Sequence, residues 1–367
     1  MFSDEHLYAV ALRRCSQIGD LNFKRLVGAE GSAAQVWKRP QKHLMKTFGI
    51  GQKSVSEIGD AQHLKFAEKE LQFCQKNDIQ ILLNHQRELP YLLQECEDAP
   101  AILYLKGQLP DKNPLSIVGT RNMTAYGRHF VEDFIDGARG SQLVTVSGLA
   151  LGTDSEVHQQ SVEKGIPTIG VLAHGFHTMY PSKNRSLAAK IIEQGGALLT
   201  EFNSSQKPDR ENFIQRNRII AGISRATIVV ETAFGGGSVS TVTFANQYNR
   251  DVYALPGKIT DKYSQGCNHL IYNNKAAAIS TIPDLLADLK LSGQHPSEEL
   301  FPFSETRPVL NDQEKAILEI ISWQANINLD DLAEKAALPV YKLLPLLLEL
   351  ELKGYLKSFS GRQFLAV

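Results

Sequence analysis

The sequence predicts an α/β protein whose core is a doubly wound parallel sheet, preceded by a helical part and followed by a small three-helix module. From residue 115 onward, short β-branched runs alternate with helical stretches, and loops that contain glycine join them. Three further predicted helices and a hairpin follow a stretch rich in Ser, Gly, Pro and Glu. We therefore expect domains at 1–100, 101–290 and 309–367, with a linker at 291–308.

Short helices account for most of the predicted N-terminal part. They are expected at 4–15, 21–27, 32–37 and 60–76. Between the last two, Phe48-Gly49-Ile50-Gly51-Gln52-Lys53 has the pattern of a helix-hairpin-helix turn, in which glycines let backbone amides approach a phosphate. A simple tight turn between two helices explains the same pattern, so both interpretations stay open.

Six strands and five helices alternate in the predicted core. The strands are expected at 115–118, 143–146, 168–172, 197–200, 226–230 and 252–255. The helices between them are expected at 123–138, 154–164, 184–194, 213–223 and 239–248. Right-handed crossovers would place helices on both faces of the sheet, with a ligand site at the carboxyl ends of the strands.

The C-terminal part has the element order of a winged helix. Its helices are expected at 312–323, 330–337 and 340–353, and its two strands at 355–359 and 363–367. The third helix carries Glu349 and Glu351 against Lys342 and Lys353, which is less basic than a helix that reads the major groove should be. We therefore expect a module that contacts protein or docks on the chain itself, in preference to one that reads duplex DNA.

Composition limits the class of protein. The 367 residues carry a formal net charge of −1, so a local patch would have to hold any anionic partner. Four cysteines without a Cys-x-x-Cys pair argue against a zinc site and a disulfide framework, and they fit a reducing cytoplasm. Residues 1–20 contain no unbroken apolar run, so we expect neither a signal peptide nor a membrane helix.

Residues suited to binding phosphate concentrate in the loops after the predicted strands. These loops supply Arg121, Ser147, Gly148, Lys183, Arg185, Gly235, Gly236, Gly237 and Ser238. Three glycines before a helix form an anion-binding nest. No loop has the pattern of a P-loop or of a dinucleotide site, so we expect no nucleotide cofactor. We also expect no metal, because no carboxylate or cysteine lies at ligand spacing from the histidines of these loops. Several such features along one rim match a polymer of phosphates.

The helix expected after the fourth core strand combines arginines with an aromatic residue. Asn212 and Gln215 have the spacing of a capping box, which predicts a helix start at Asn212. Arg210 and Phe213 lie at this start and are the best candidates for direct contact with a ligand. Together with Asn212, Arg216, Asn217 and Arg218 they complete the candidate binding residues.

Arg216 and Arg218 of the same helix lie among isoleucines and need a partner for their charge. Phosphates and nearby carboxylates are both possible partners. Because the two arginines lie deeper along the helix, we expect them to hold the pocket in shape through Glu201 or Glu231.

Six motifs, in order, closely resemble the DNA processing protein A (DprA or Smf) family, over about residues 100–280. The motifs include Val118-Gly119-Thr120-Arg121, Ser147-Gly148-Leu149-Ala150, Tyr180-Pro181, Thr200-Glu201, Arg216-Asn217-Arg218-Ile219-Ile220-Ala221-Gly222 and Gly266-Cys267-Asn268-His269. The resemblance implies a Rossmann-like core, a sterile-alpha-motif-like or helix-hairpin-helix N-terminal domain and a winged-helix tail. It also implies binding and protection of incoming single-stranded DNA, loading of the RecA recombinase in natural transformation, and a homodimer formed through the Rossmann-like domain.

By position, Arg121 matches the phosphate-contacting arginine of that family. Arg210 matches a basic residue three places before the aromatic that contacts bases, here Phe213. The chain departs from the family pattern at Asn212, where a histidine is expected, and at Cys267, where a serine is usual. These departures leave the finer contacts of the pocket open.

Two other functions fit parts of the sequence. LOG-type nucleotide phosphoribohydrolases share a glycine-rich loop, but residues 235–243 lack the glutamate that such enzymes need, so we expect no catalytic residue. A regulator that binds duplex DNA through the winged helix is the second alternative.

Overall fold

The computed structural model describes residues 2–291, 310–323, 327–353, 355–359 and 363–366, in two compact units, Met1–His295 and Pro296–Val367. The helices of the first unit are α1 (Asp4–Arg14), α2 (Asp20–Glu30), α3 (Ala33–Lys38), α4 (Gln41–Leu44), α5 (Gln52–Val55), α6 (Ala61–Lys76), α7 (Tyr91–Gln94), α8 (Ala125–Gly137), α9 (Thr153–Glu163), α10 (Arg185–Glu193), α11 (Arg210–Ile223), α12 (Ser238–Gln247), α13 (Lys262–Tyr272) and α14 (Ile282–Asp288). Its strands are β1 (Ile79–Leu83), β2 (Ile102–Gly107), β3 (Asn113–Val118), β4 (Leu143–Ser147), β5 (Thr168–Val171), β6 (Ala197–Thr200), β7 (Ala226–Val229), β8 (Asp251–Ala254) and β9 (Ala277–Ala278). Apart from residue 291, the predicted linker at 291–308 lies outside the described residues.

One nine-stranded sheet organises the first unit, in the order β1-β2-β6-β5-β4-β3-β7-β8-β9. The strands from β6 to β9 pair in parallel, whereas β1 with β2 and β2 with β6 pair antiparallel. Along the chain, the strands after β3 are added on one side as far as β6, and then on the other side from β7. This reversal confirms the predicted doubly wound, Rossmann-like sheet, and it places a ligand crevice at the carboxyl ends of β3 and β7.

The structure adds β1, β2 and the short edge strand β9, which the sequence did not predict. β1 lies inside the part expected to be helical, so that expectation is wrong for Ile79–Leu83. Its burial alternates, with Gln80 exposed between Ile79 and Ile81, as in a strand covered on one face. The apolar run at the start of β2, by contrast, is buried throughout.

The N-terminal helices share a hydrophobic core with β1 and β2. Leu12 of α1 and Trp37 of α3 belong to the same buried cluster as Ile79 and Tyr104. Polar contacts strengthen this junction: buried Glu70 of α6 accepts hydrogen bonds from the Ser204 amide and hydroxyl, both at 2.6 Å. The helical part is therefore joined firmly to the loop that leads into α11.

The second unit has the fold of a winged helix, as predicted. Its elements are α15 (Asp312–Trp323), β10 (Ile327–Asn328), α16 (Leu329–Lys335), α17 (Val340–Leu352), β11 (Leu356–Phe359) and β12 (Gln363–Ala366). The strands form an antiparallel sheet in the order β10-β12-β11. Lys353, which follows α17, pairs with buried Glu314. No helix in the described ranges has the length and apolar character needed to cross a bilayer.

A buried imidazole in α9 should make the fold sensitive to acid. His158 is fully buried, and its Nδ1 lies 2.7 Å from the Thr168 hydroxyl of β5. Burial lowers the pKa of His158 to about 3, below an ordinary value of 6.5. As the pH falls, His158 is therefore protonated at a higher pH in the unfolded chain than in the folded chain. The stability that the neutral imidazole gives is complete above pH 6.5 and declines by roughly 1.4 kcal/mol per pH unit below it.

Between pH 6.5 and 4.5, the free energy of unfolding should therefore fall by about 2–3 kcal/mol less in His158→Gln than in the parent chain. Urea unfolding at both pH values measures this difference. His129→Gln, at an exposed position of α8, is the matched control and should behave like the parent chain. Equal pH dependence in the parent chain and His158→Gln would show that the imidazole is not the acid-sensitive group.

Candidate nucleic-acid interface

Two adjoining cavities lie at the carboxyl ends of β3 and β7, where the strand order reverses. Their volumes are about 260 Å³ and about 940 Å³. Both are lined by Arg121, Phe213, Ile214, Gly236 and Gly237. The loops after β3 and β7 and the start of α11 thus form one continuous surface, at the place that the doubly wound topology predicts.

The first turn of α11 forms one wall of the larger cavity. The helix begins at Arg210, and the Asp209 side chain caps it by accepting a hydrogen bond from the Glu211 amide at 3.0 Å. The predicted start at Asn212, with a capping box to Gln215, is therefore wrong. Asn212 instead donates to the Lys207 carbonyl at 3.2 Å, which steadies the preceding loop.

Phe213 is the aromatic centre of the interface. The guanidinium carbons of Arg121 and Arg216 lie 5.1 Å and 5.8 Å from its ring centroid. The ring of Tyr180 meets it edge-on at a centroid distance of 5.9 Å. Arg121 and Tyr180 are exposed, so a planar ligand and an anionic group can approach the same place from solvent.

The glycine loop before α12 presents backbone amides to the cavities. Gly235 has a positive φ of 64°, and a Cβ on Gly236 would lie 2.4 Å from the Thr232 hydroxyl, so both positions favour glycine. No side chain caps α12, whose N-cap is Gly237. The Val239 amide donates to the Gly236 carbonyl at 3.0 Å, and the other amides of this uncapped helix start are suited to an anion. The Ser238 hydroxyl donates to the Thr232 hydroxyl at 2.7 Å, and both residues line the smaller cavity.

Asn217 couples the two helices that flank the cavities. Its side-chain amide donates to the Ser240 hydroxyl of α12 at 2.8 Å and to the Gly237 carbonyl at 3.3 Å. Asn217 thus fixes the glycine loop relative to Phe213, which lies one turn earlier on α11.

Arg216 lines the smaller cavity, although only 3% of its surface is exposed. Its Nη1 donates to the Gly148 carbonyl at 2.7 Å and to the Val171 carbonyl, which joins α11 to the ends of β4 and β5. Asp154 faces it: a Cβ on Gly148 would lie 2.6 Å from both Arg216 Nη2 and Asp154 Oδ2. Burial lowers the pKa of Arg216 and raises that of Asp154, and the attraction between them opposes both shifts.

Ser147 and Gly148 are likewise part of the support for the pocket. The Ser147 side chain is fully buried, and its hydroxyl donates to the Ile117 carbonyl at 2.7 Å. Gly148 has no room for a side chain. Neither position lines the two cavities, so the structure places both residues behind the surface that a ligand would touch.

Arg218 does not reach the cavities. It is buried in ion pairs with Glu201 at 2.5 Å and with Asp20 of α2 at 3.0 Å. Glu201, one of the two carboxylates expected to pair with Arg218, forms that ion pair. Glu231 instead accepts hydrogen bonds from Thr124, the N-cap residue of α8, through its amide at 2.9 Å and its hydroxyl at 2.5 Å.

The remaining predicted cations differ in position. Arg210 is exposed and lines the larger cavity. Lys183 and Arg185 are exposed as well, but Lys183 lies within a 3₁₀ turn (Ser182–Asn184) that lines neither cavity, and Arg185 directly follows that turn. Asn184, which was not among the predicted binding residues, holds that turn by donating to the Leu149 carbonyl and the Ser155 hydroxyl, both at 2.8 Å.

Metal-ligating groups gather at one place within the described part of the chain, far along the sequence from these loops. Ligand atoms of Cys15, Glu57 and His63 lie within 4.8 Å of one another. Burial raises the pKa of Cys15 to about 12, which disfavours the thiolate form that binds a metal. The Glu57 oxygens accept hydrogen bonds from the Ser16 amide at 2.7 Å and hydroxyl at 2.6 Å.

Comparison with known proteins matches both units to one family. Residues 80–290 match the family model of the DNA recombination-mediator protein A, and residues 302–362 match that of the DprA winged helix domain. The chain is 33% identical to the protein Smf of Synechocystis over 295 residues, which cover 79% of this chain and 74% of the relative.

Two solved structures share the fold. DNA processing protein A from Streptococcus pneumoniae superposes with a TM-score of 0.66 and 29% identity, over 78% of this chain and 98% of that one. DNA processing protein A from Helicobacter pylori, whose study concerns a single-stranded DNA binding mode, gives a TM-score of 0.52 and 26% identity, over 58% of this chain and 95% of that one.

Proposed function

The chain belongs to the DNA recombination-mediator protein A (DprA) family, and we propose that it binds single-stranded DNA across the two cavities at the ends of β3 and β7. The observation that carries this proposal is Phe213, an aromatic ring with Arg121 beside it at the mouth of the cavities. A base can stack at this ring while Arg121, Arg210 and the uncapped amides of α12 neutralise phosphates.

The same geometry favours binding without sequence preference. The groups available at the cavity mouth are guanidinium groups, backbone amides and aromatic faces, which serve any base and any phosphate. Affinity should therefore fall with salt. A plot of the logarithm of the binding constant against the logarithm of the salt concentration should have a slope of about −0.7 per phosphate contacted. The solved structure of DNA processing protein A from Helicobacter pylori, whose study concerns a single-stranded DNA binding mode, supports this choice of ligand.

Phe213→Ala tests the proposal. We expect it to weaken binding of single-stranded DNA by about 1–3 kcal/mol, because one stacking face is lost. Fluorescence anisotropy with a labelled oligo(dT) measures the affinity, and thermal unfolding checks the fold. Tyr91→Ala, at an exposed aromatic that lines neither cavity, is the matched control. Undiminished affinity in Phe213→Ala would refute binding at this ring.

We further propose that the bound strand is protected from nucleases and handed to the RecA recombinase during natural transformation, in the cytoplasm. The family's name as a recombination mediator and the four buried, unpaired cysteines support this role and this compartment. RecA filament assembly on oligo(dT) covered by a single-strand-binding protein should speed up in the presence of the chain. Phe213→Ala should remove that effect.

The proposal includes a homodimer formed through the Rossmann-like unit and the absence of catalysis. Light scattering on the purified chain tests the dimer. Incubation with nucleoside monophosphates tests for phosphoribohydrolase activity, and the proposal requires that no free base appears. Residues 235–243 contain no glutamate to act on the ribose, which supports this expectation.

A further inference from the structure

A positively charged segment lies in the helical N-terminal part, outside the cavities. Residues 31–56 contain no Asp or Glu but carry Lys38, Arg39, Lys42, Lys46 and Lys53, in a chain whose net charge is −1. Arg39 and nearby His43 are held by Glu30, at 2.9 Å and 3.0 Å. Within the described part of the chain, Lys42, Lys46 and Lys53 are exposed and have no carboxylate partner.

An exposed aromatic side chain stands at the tip of this segment. Phe48 is 87% exposed, although Leu44, Ile50 and Val55 on either side of it are buried. The turn is therefore anchored to the core, and the exposure of Phe48 is not a sign of a loose loop. Leaving so large an apolar ring in water is unfavourable unless a ligand uses it.

Arg25 of α2 completes the arrangement. Its guanidinium carbon lies 5.8 Å from the ring centroid of Phe48. Gly49 has a positive φ of 77°, and a Cβ there would lie 2.3 Å from Arg25 Nη1, so the guanidinium packs directly on the glycine backbone. Among the described residues no hydrogen bond or ion pair engages Arg25, which leaves its donors available.

These features fit one class of ligand. An exposed ring beside a guanidinium offers a stacking place for a base, and lysines before and after it can neutralise the flanking phosphates. A protein partner would need a wider apolar patch, whereas here Arg25 lies beside the ring and the same segment carries the exposed Lys42, Lys46 and Lys53. The charge complementarity therefore favours single-stranded DNA.

We propose that Arg25, Lys42, Lys46, Phe48 and Lys53, the hairpin surface, form a second binding site for single-stranded DNA. This proposal rests on the proposed function for the choice of ligand, and it extends that function to strands long enough to occupy both sites. All residues that line the two cavities come at or after Val118 in the sequence, so the hairpin surface contributes none of them.

The test compares strand lengths. Phe48→Ala combined with Lys46→Gln and Lys53→Gln should weaken binding of a long oligo(dT), of about 30 nucleotides, by roughly 5- to 150-fold, and leave a short one, of about 6 nucleotides, unchanged. The salt slope for the long strand should fall in magnitude by about 1.4, which corresponds to two phosphates. Tyr91→Ala with Lys65→Gln and Lys69→Gln removes the same charge and one exposed ring elsewhere, and it should leave both affinities unchanged.

The outcomes separate this proposal from the proposed function. If Phe213→Ala weakens binding of both strands and the hairpin variant weakens neither, the hairpin site is refuted and the cavity site stands. If only the hairpin variant weakens binding of the long strand, the cavity site fails and the hairpin site stands. If the hairpin variant lost affinity for duplex DNA only, the proposal would also be overturned, because the ligand of this surface would then be duplex DNA.

Discussion

Arg216→Met should destabilise the folded chain by about 3–5 kcal/mol, because it removes a buried charge whose partners stay behind. The Gly148 and Val171 carbonyls would lose their donor, and Asp154 would lose the cation that faces it. Urea unfolding of the purified variant measures this loss. Binding of single-stranded DNA should weaken too, because Phe213 lies one turn from Arg216 and packs near its guanidinium.

Arg121→Met is the informative comparison for this prediction. Arg121 lies beside the same ring but is exposed, so its loss should weaken DNA binding and leave the free energy of unfolding nearly unchanged. If the two variants were equally stable, the buried network around Arg216 would contribute little to the stability of the fold. The pair of variants thus separates the arginine that supports the pocket from the arginine at its surface.

Arg218→Met should have a similar cost, about 3–5 kcal/mol, with a different consequence for function. Burial would lower the pKa of Arg218, but Glu201 and Asp20 raise it instead, which shows how strongly the carboxylates hold the cation. Without Arg218, Glu201 would remain almost fully buried, where burial raises its pKa. Thermal and urea unfolding measure the loss of stability.

A second substitution makes the reason for this loss testable. Glu201→Gln in the Arg218→Met background should recover part of the lost stability, because the uncompensated carboxylate is then neutral. DNA affinity per folded molecule should stay near that of the parent chain, because Arg218 does not line the cavities. A large loss of affinity in folded Arg218→Met would show that the cluster also shapes the interface.

The parallel part of the sheet, except for the two-residue edge strand β9, could be predicted because each of its other strands is a short apolar run between loops with glycine. β1 and β2 could not, because their pairing depends on β6, which is remote in the sequence. Ile79–Leu83 directly follows a helical stretch, and local pattern does not mark where one ends and the other begins.

The candidate site was predictable to a similar degree. Arg121, Phe213 and the glycine loop could be found because they follow strands whose ends meet at one edge. The direction in which an arginine of α11 points could not be found, because it depends on distant partners. Arg218 is satisfied by Asp20, 198 positions earlier, and no local pattern indicates that pairing. The helix start was misplaced because Asp209 and Asn212 are both good capping residues.

The contacts of Asp20 also join distant parts of the chain at one carboxylate. This carboxylate is bound by Arg13 at 3.1 Å, by the Ala101 amide at 2.9 Å and by Arg218 at 3.0 Å. α1, the start of β2 and α11 are therefore all attached to α2 at a single residue. Through Arg218, the N-terminal helices help to fix the position of the helix that carries Phe213.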